Sequence, residues 1–107
     1  MLELKQGVNI TGIRPEMVLA AVAVRDVFDS YNFECVVTSA LEGTHSFGSL
    51  HYAGCALDFR TKRAGVTQTQ AEAMGEKIRH SLGVQFDVIV HETHIHVEFQ
   101  PKHGPKQ

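Results

Sequence analysis

The sequence predicts an α+β domain, a small and mostly antiparallel sheet with two helices packed on one face. Three observations predict it. Two stretches, 15–31 and 67–82, repeat apolar residues at three- and four-residue spacing, the period of an amphipathic helix. Short runs rich in Val, Ile, Phe and Cys at 33–39, 53–60, 86–91 and 94–99 have strand length and strand composition. The last two runs are separated by two residues, which joins them as a hairpin. A chain of 107 residues fits one domain around one core, so 1–107 is read as a single unit.

Residues 1–14 read as an irregular or extended arm with turn signals at Gly7 and Gly12. Pro15 suits the first position of a helix, and Glu16 is favourable at its positive end. Met17, Val18, Ala20, Ala21, Val24, Val27, Phe28 and Tyr31 then supply the apolar stripe of a helix over 15–31. Cys35, Val36 and Val37 centre the first core strand, and the Gly-, Ser-, Thr- and His-rich stretch 40–50 reads as a loop. In the strand at 53–60, alternation sets Cys55, Leu57 and Phe59 on one face and Gly54, Ala56 and Asp58 on the other. Thr67 and Gln70 form a capping-box pattern at the second helix. Ala71, Met74, Ile78 and Leu82 mark its buried side, and Gly83 closes it.

The hairpin can be placed in register. With Glu92-Thr93 as the turn, His91 faces His94 and Ile89 faces His96. Asp87, Ile89, His91, His94, His96 and Glu98 then share one face, and Val88, Val90, Ile95 and Val97 the other. Glu-Thr is an unusual pair for so tight a turn. Residues 100–107, with Pro101, Gly104 and Pro105, read as a frayed tail.

Composition narrows the function. A net charge of −2 lacks the basic footprint of a nucleic-acid binder. The longest apolar run, Met17 to Val24, is far too short for a bilayer, so no membrane is expected. The first residues lack the basic start and apolar run of a signal peptide. Cys35 and Cys55 have no Cys-x-x-Cys spacing and read as small buried residues. A monomer is expected.

The chemistry sits in two places. Seven histidines is a high share, and three of them, His91, His94 and His96, lie within six positions. His51 and Asp58 sit in mid-chain. Two imidazoles and one carboxylate drawn from these points make a three-ligand set that leaves a fourth zinc position open to water. The alternative reading of the histidine cluster is a solvated sheet face. Asp58 reads alternatively as an ion-pair partner of Arg60 or Arg63, and Glu92 as a solvated turn residue. Asp58 is flanked by Leu57 and Phe59 and needs a compensating partner if buried.

The run Ser49-x-His51-x-x-Gly54-x-Ala56-x-Asp58 resembles the Ser-x-His-x-x-Gly-x-Ala-x-Asp signature of the zinc D-Ala-D-Ala carboxypeptidases. It is shared by the related L-alanyl-D-glutamate endopeptidases, which include phage endolysins. Phe86-Asp87-Val88-Ile89 followed by His94-Ile95-His96-Val97 looks like that family's closing strand pair, and His91-x-x-His94-x-His96 is similar to its triple-histidine arrangement. The resemblance covers 33–99. It implies His51, Asp58 and His96 as ligands of one zinc ion, placed on the sheet face away from the helices. It implies a carboxylate or histidine just before the last ligand as general base; Glu92, His91 and His94 compete, and Glu92 is favoured, with His94 and His91 assisting or stabilising the oxyanion. Glu98 would orient a ligand from behind.

The pattern breaks at one point. Family members carry Thr-Ser-Gly-Tyr-Arg ahead of the zinc motif, whereas this chain reads Thr38-Ser39-Ala40-Leu41-Glu42. A glutamate stands where a guanidinium would receive a substrate carboxylate. Arg60 or Arg63, or His45 in the same loop, are candidates to replace it. The expected function is therefore a zinc peptidase cutting peptidoglycan stem peptides, an endolysin-like endopeptidase ahead of a D,D-carboxypeptidase. It would be made in the bacterial cytoplasm and reach the wall after release, or act as a virion component. The alternatives are a non-catalytic zinc-binding module and a virion structural domain of the same fold.

Overall fold

The computed structural model describes residues 1–40 and 55–100. The loop expected at 40–50, the start of the strand expected at 53, and most of the tail lie outside them, as do Glu42, His45 and His51. The first helix, α1, spans Pro15–Ser30. Pro15 opens it, where a missing N–H leaves no helical bond unmade, and Met17, Ala20, Ala21, Val24 and Phe28 form its buried stripe. Asn32, with a left-handed φ of 64°, ends it. The Tyr31 and Phe33 amides donate back to the Phe28 carbonyl, each at 3.0 Å. The second helix, α2, spans Gln68–Leu82. Its capping box is complete: the Gln70 amide donates to Thr67 Oγ1 at 3.1 Å, and the Thr67 amide to Gln70 Oε1 at 2.9 Å. A single 3-10 turn, Lys62–Ala64, precedes it and was not expected.

Among the described residues five strands, β1 (Leu2–Leu4), β2 (Cys35–Ser39), β3 (Ala56–Arg60), β4 (Phe86–Val90) and β5 (His94–Phe99), form one sheet in the order β1-β2-β3-β5-β4. The expectation of a mostly antiparallel sheet is corrected here: the sheet is mixed, because β1 runs parallel to β2 while the other neighbours are antiparallel. Part of the supposed arm is thus a strand. Parallel neighbours need a long crossover, and α1 lies within the connection between them. Leu-Glu-Leu is too short for its alternation to stand out. Long-range bonds hold it: Lys5 N–H donates to the Val37 carbonyl at 2.8 Å, and the N-terminal ammonium lies 3.0 Å from Asp29 Oδ1.

Both helices cover the same face. Cys35, Val37, Leu57, Phe59, Val88, Ile95 and Val97 join the apolar stripes of α1 and α2 in one core. Helix and sheet approach closely at Gly75, where an added Cβ would lie 2.5 Å from Val90 Cγ2. The hairpin has the expected register: Ile89 pairs with His96 and Val90 with Ile95, and the His91 amide donates to the His94 carbonyl at 2.8 Å. Its turn is fastened to the end of β3, because the Thr93 carbonyl accepts from the Thr61 and Lys62 amides at 3.0 and 3.4 Å. Among the described residues no helix is long and apolar enough to cross a membrane.

Candidate functional site

The face of the sheet away from the helices carries the titratable groups. Antiparallel pairing of β3 with β5 sets Asp58 opposite His96 and Arg60 opposite His94, and opposed residues share a face. Glu98 lies on the same face, two positions beyond His96. The contacts are short. Asp58 Oδ1 is 2.7 Å from His96 Nδ1, and Glu98 Oε1 is 2.9 Å from His96 Nε2. One imidazole is therefore gripped by a carboxylate at each nitrogen. All three side chains are largely enclosed, with His96 12% exposed, Asp58 19% and Glu98 21%. The hydrogen bond with Asp58 raises the His96 pKa against the opposing effect of burial, and Glu98 raises it further.

His94 behaves differently. Burial lowers its pKa, the Asp58 charge works the other way, and the neighbouring imidazoles of His91 and His96 add to the lowering. Its Nε2 is 3.9 Å from Asp58 Oδ2, too far for a hydrogen bond, and its Nδ1 is 3.1 Å from Thr93 Oγ1. The His91 ring stacks on His94 with centroids 4.6 Å apart and meets His96 edge-on at 6.5 Å. Beside this cluster β2 is irregular. Val37 pairs with Phe59 but Ser39 pairs with Asp58, so β2 carries an extra residue opposite the carboxylate. Bulges of this kind commonly re-aim side chains near functional sites.

Asp58, His91, His94, His96 and Glu98 are brought together. Glu92, between His91 and His94 in sequence, lines a cleft of about 500 Å³ with Lys62, Val66, Thr67 and Gln68, at the start of α2. Among the described residues the hydrogen bonds and ion pairs of Asp58, His94 and His96 do not include Glu92. Arg60 and Arg63 line a second cleft of about 240 Å³ together with Lys5, Thr38, Lys62, Thr93 and His94.

The expected zinc can be tested against this donor set. Among the described residues no group of three or more His, Cys, Asp or Glu converges tightly enough to hold a metal ion. Asp58 and His96 supply two of the three expected donors, and His51 lies outside the described residues. The chemistry of the pair fits a cation. A carboxylate oxygen and an imidazole nitrogen lie side by side, and a second carboxylate holds the far nitrogen, the arrangement that fixes ring orientation in histidine metal sites. The same two carboxylates favour the charged imidazole, which is why the His96 pKa rises. Comparison with known protein families, curated proteins and solved structures finds no match to the chain.

Three features escaped the sequence. Thr93 as a partner of His94 follows from the turn geometry alone. The bulge in β2 has no Gly or Pro to announce it. The gathering of Lys5 with Arg60, Lys62 and Arg63 depends on β1. Only the Arg60-x-Lys62-Arg63 run could have hinted at it.

Proposed function

We propose that this chain is a zinc-dependent peptidase that hydrolyses peptidoglycan stem peptides, as an endolysin-like endopeptidase. The observation that carries this is the pairing of Asp58 with His96. Two side chains 38 positions apart meet at 2.7 Å on the face of the sheet away from the helices. They are the two described members of the ligand set implied by the sequence motif. His51, Asp58 and His96 would hold the ion. A zinc ion there supplies a Lewis acid that polarises the scissile carbonyl and lowers the pKa of water toward about 7.

The chain's own groups do the rest. Glu98 accepts from His96 Nε2 and keeps Nδ1 turned toward Asp58. His94 is the better placed proton acceptor, since it lies beside Asp58 while Glu92 lines the cleft at the start of α2. With Nδ1–H donating to Thr93 Oγ1, His94 Nε2 carries the lone pair that takes the proton of the attacking water. His91 stacks on His94 and limits its rotation.

Mass spectrometry of muropeptides after digestion tests the proposal, because the new termini name the bond. Wild type is expected to release stem-peptide fragments and His51→Ala none. Intact muropeptides from every wall type, with zinc still bound, would support the non-catalytic zinc module instead. A general base contributes about 10²–10⁴-fold, so His94→Ala is expected to lose that much activity and Glu92→Ala to keep most of it. The reverse pattern would return the proton to Glu92.

A further inference from the structure

The cleft beside the paired Asp58 and His96 is cationic. Lys5, Arg60, Lys62 and Arg63 line it, with Thr38, Thr93 and His94, in a volume of about 240 Å³. Four of the ten lysines and arginines of a chain with net charge −2 thus meet in one depression, and among the described residues of its lining none is acidic. Three different parts of the chain bring them: Lys5 follows β1, Arg60 ends β3, and Lys62 and Arg63 form the 3-10 turn. Among the described residues, the ion pairs of basic groups involve the N-terminus, Arg14, Arg25, Arg79, His94 and His96. Among the described residues none of the four has an ion-pair partner, and like charges gathered in this way repel one another and favour an anion among them.

Position says what kind of anion. Arg60 opposes His94 in the ladder, and Asp58 opposes His96 two residues along the same strands. Two residues of strand span about 7 Å, one to two residues of a bound peptide. His94 belongs to both sites: it lines the cleft and lies 3.9 Å from Asp58.

We propose that this cleft is a carboxylate-binding subsite, which selects peptides carrying a free carboxylate within one or two residues of the bond to be cut. It builds on the peptidase function proposed above and supplies what Glu42 cannot, a guanidinium for a substrate carboxylate, from the opposite end of the motif. Two cations of the cleft are arginines, whose planar fork matches a carboxylate in two-point contact.

The test measures binding, so it does not depend on turnover. The probes are the tripeptide L-Ala-γ-D-Glu-L-Lys and the same peptide with its carboxylates converted to carboxamides. Each is titrated calorimetrically into zinc-loaded wild type, Arg60→Gln/Arg63→Gln and the single variant Arg63→Gln. Arg63 is exposed, so its replacement leaves the core untouched even if the double variant folds poorly. Wild type is expected to bind the acid at least about tenfold more tightly than the amide. That ratio should fall in Arg63→Gln and approach one in the double variant at unchanged zinc content. Equal binding of acid and amide by wild type, binding of neither, or a ratio unchanged in the variants would each overturn the proposal. Peptides carrying the carboxylate either at the C-terminus or on the γ-linked glutamate identify which one is held. A carboxylate preference without cleavage would leave the subsite standing and remove the peptidase. Cleavage without a preference would do the opposite.

Discussion

Replacing Gly75 with alanine probes the contact that seats the helical layer against the site-bearing hairpin. Gly75 is buried in α2, and a Cβ there would lie 2.5 Å from Val90 Cγ2, well inside the usual carbon–carbon contact distance of about 3.5–4.0 Å. Valine is stiff at χ1 and its methyl cannot swing aside as a long side chain would. Either β4 or α2 must therefore shift by about 1 Å, and overpacking of this order costs about 1–3 kcal/mol. Against this, alanine is favoured over glycine in a helix interior by about 1 kcal/mol. The net expectation is a loss near 1 kcal/mol, a drop of about 4–8 °C in Tm for a domain of this size. Thermal unfolding of zinc-free protein by circular dichroism measures it without the contribution of bound metal. The sign should invert in a Val90→Ala background, where the obstructing methyl is gone and Gly75→Ala gains about 1 kcal/mol. The double-mutant cycle then gives a coupling near 2 kcal/mol. A stabilising Gly75→Ala in the wild-type background would refute the close approach of α2 to β4.

Other expectations follow from single contacts. Thr67→Ala removes the N-cap acceptor and should cost about 1 kcal/mol by the same unfolding assay; no change would mean the capping box contributes nothing. Glu98→Gln should lower zinc affinity about ten- to a hundredfold in a competition titration, and an unchanged affinity would sever Glu98 from the site. Burial pushes the Cys35 thiol from its ordinary 9.0 up to about 12. Because the folded-state value is raised, its stabilising contribution is whole below pH 9 and is lost as pH climbs toward 12. The stability difference between wild type and Cys35→Ala should therefore be flat to pH 9 and then shrink. A difference that grows above pH 9 would contradict the burial of the thiol.

Local signals carried most of the fold. Pro15 and the apolar spacing marked α1, Thr67 with Gln70 marked the start of α2, and the alternation on either side of Glu92-Thr93 fixed the hairpin register. That register alone ranks His91, His94, His96 and Glu98 on one face. Pairings between distant segments were less legible. β1 is three residues long, and what defines it is its bonds to β2, which no local pattern records. The mixed character of the sheet and the place of Lys5 in the cationic cleft both follow from that strand. Glu92 illustrates a second limit. Its neighbours in sequence are the histidines, and nothing local announces that it also lines the cleft at the start of α2 with Lys62, Val66, Thr67 and Gln68. Asp58 and His96 were linked through the motif, while the antiparallel pairing of β3 with β5 is what brings their atoms to 2.7 Å.

Zinc content tests the central claim most directly. Elemental analysis of gel-filtered protein should find one zinc per chain in wild type and far less in His51→Ala, Asp58→Ala and His96→Ala, each still folded by circular dichroism. No zinc in the wild type, or full occupancy in those three variants, would contradict the account.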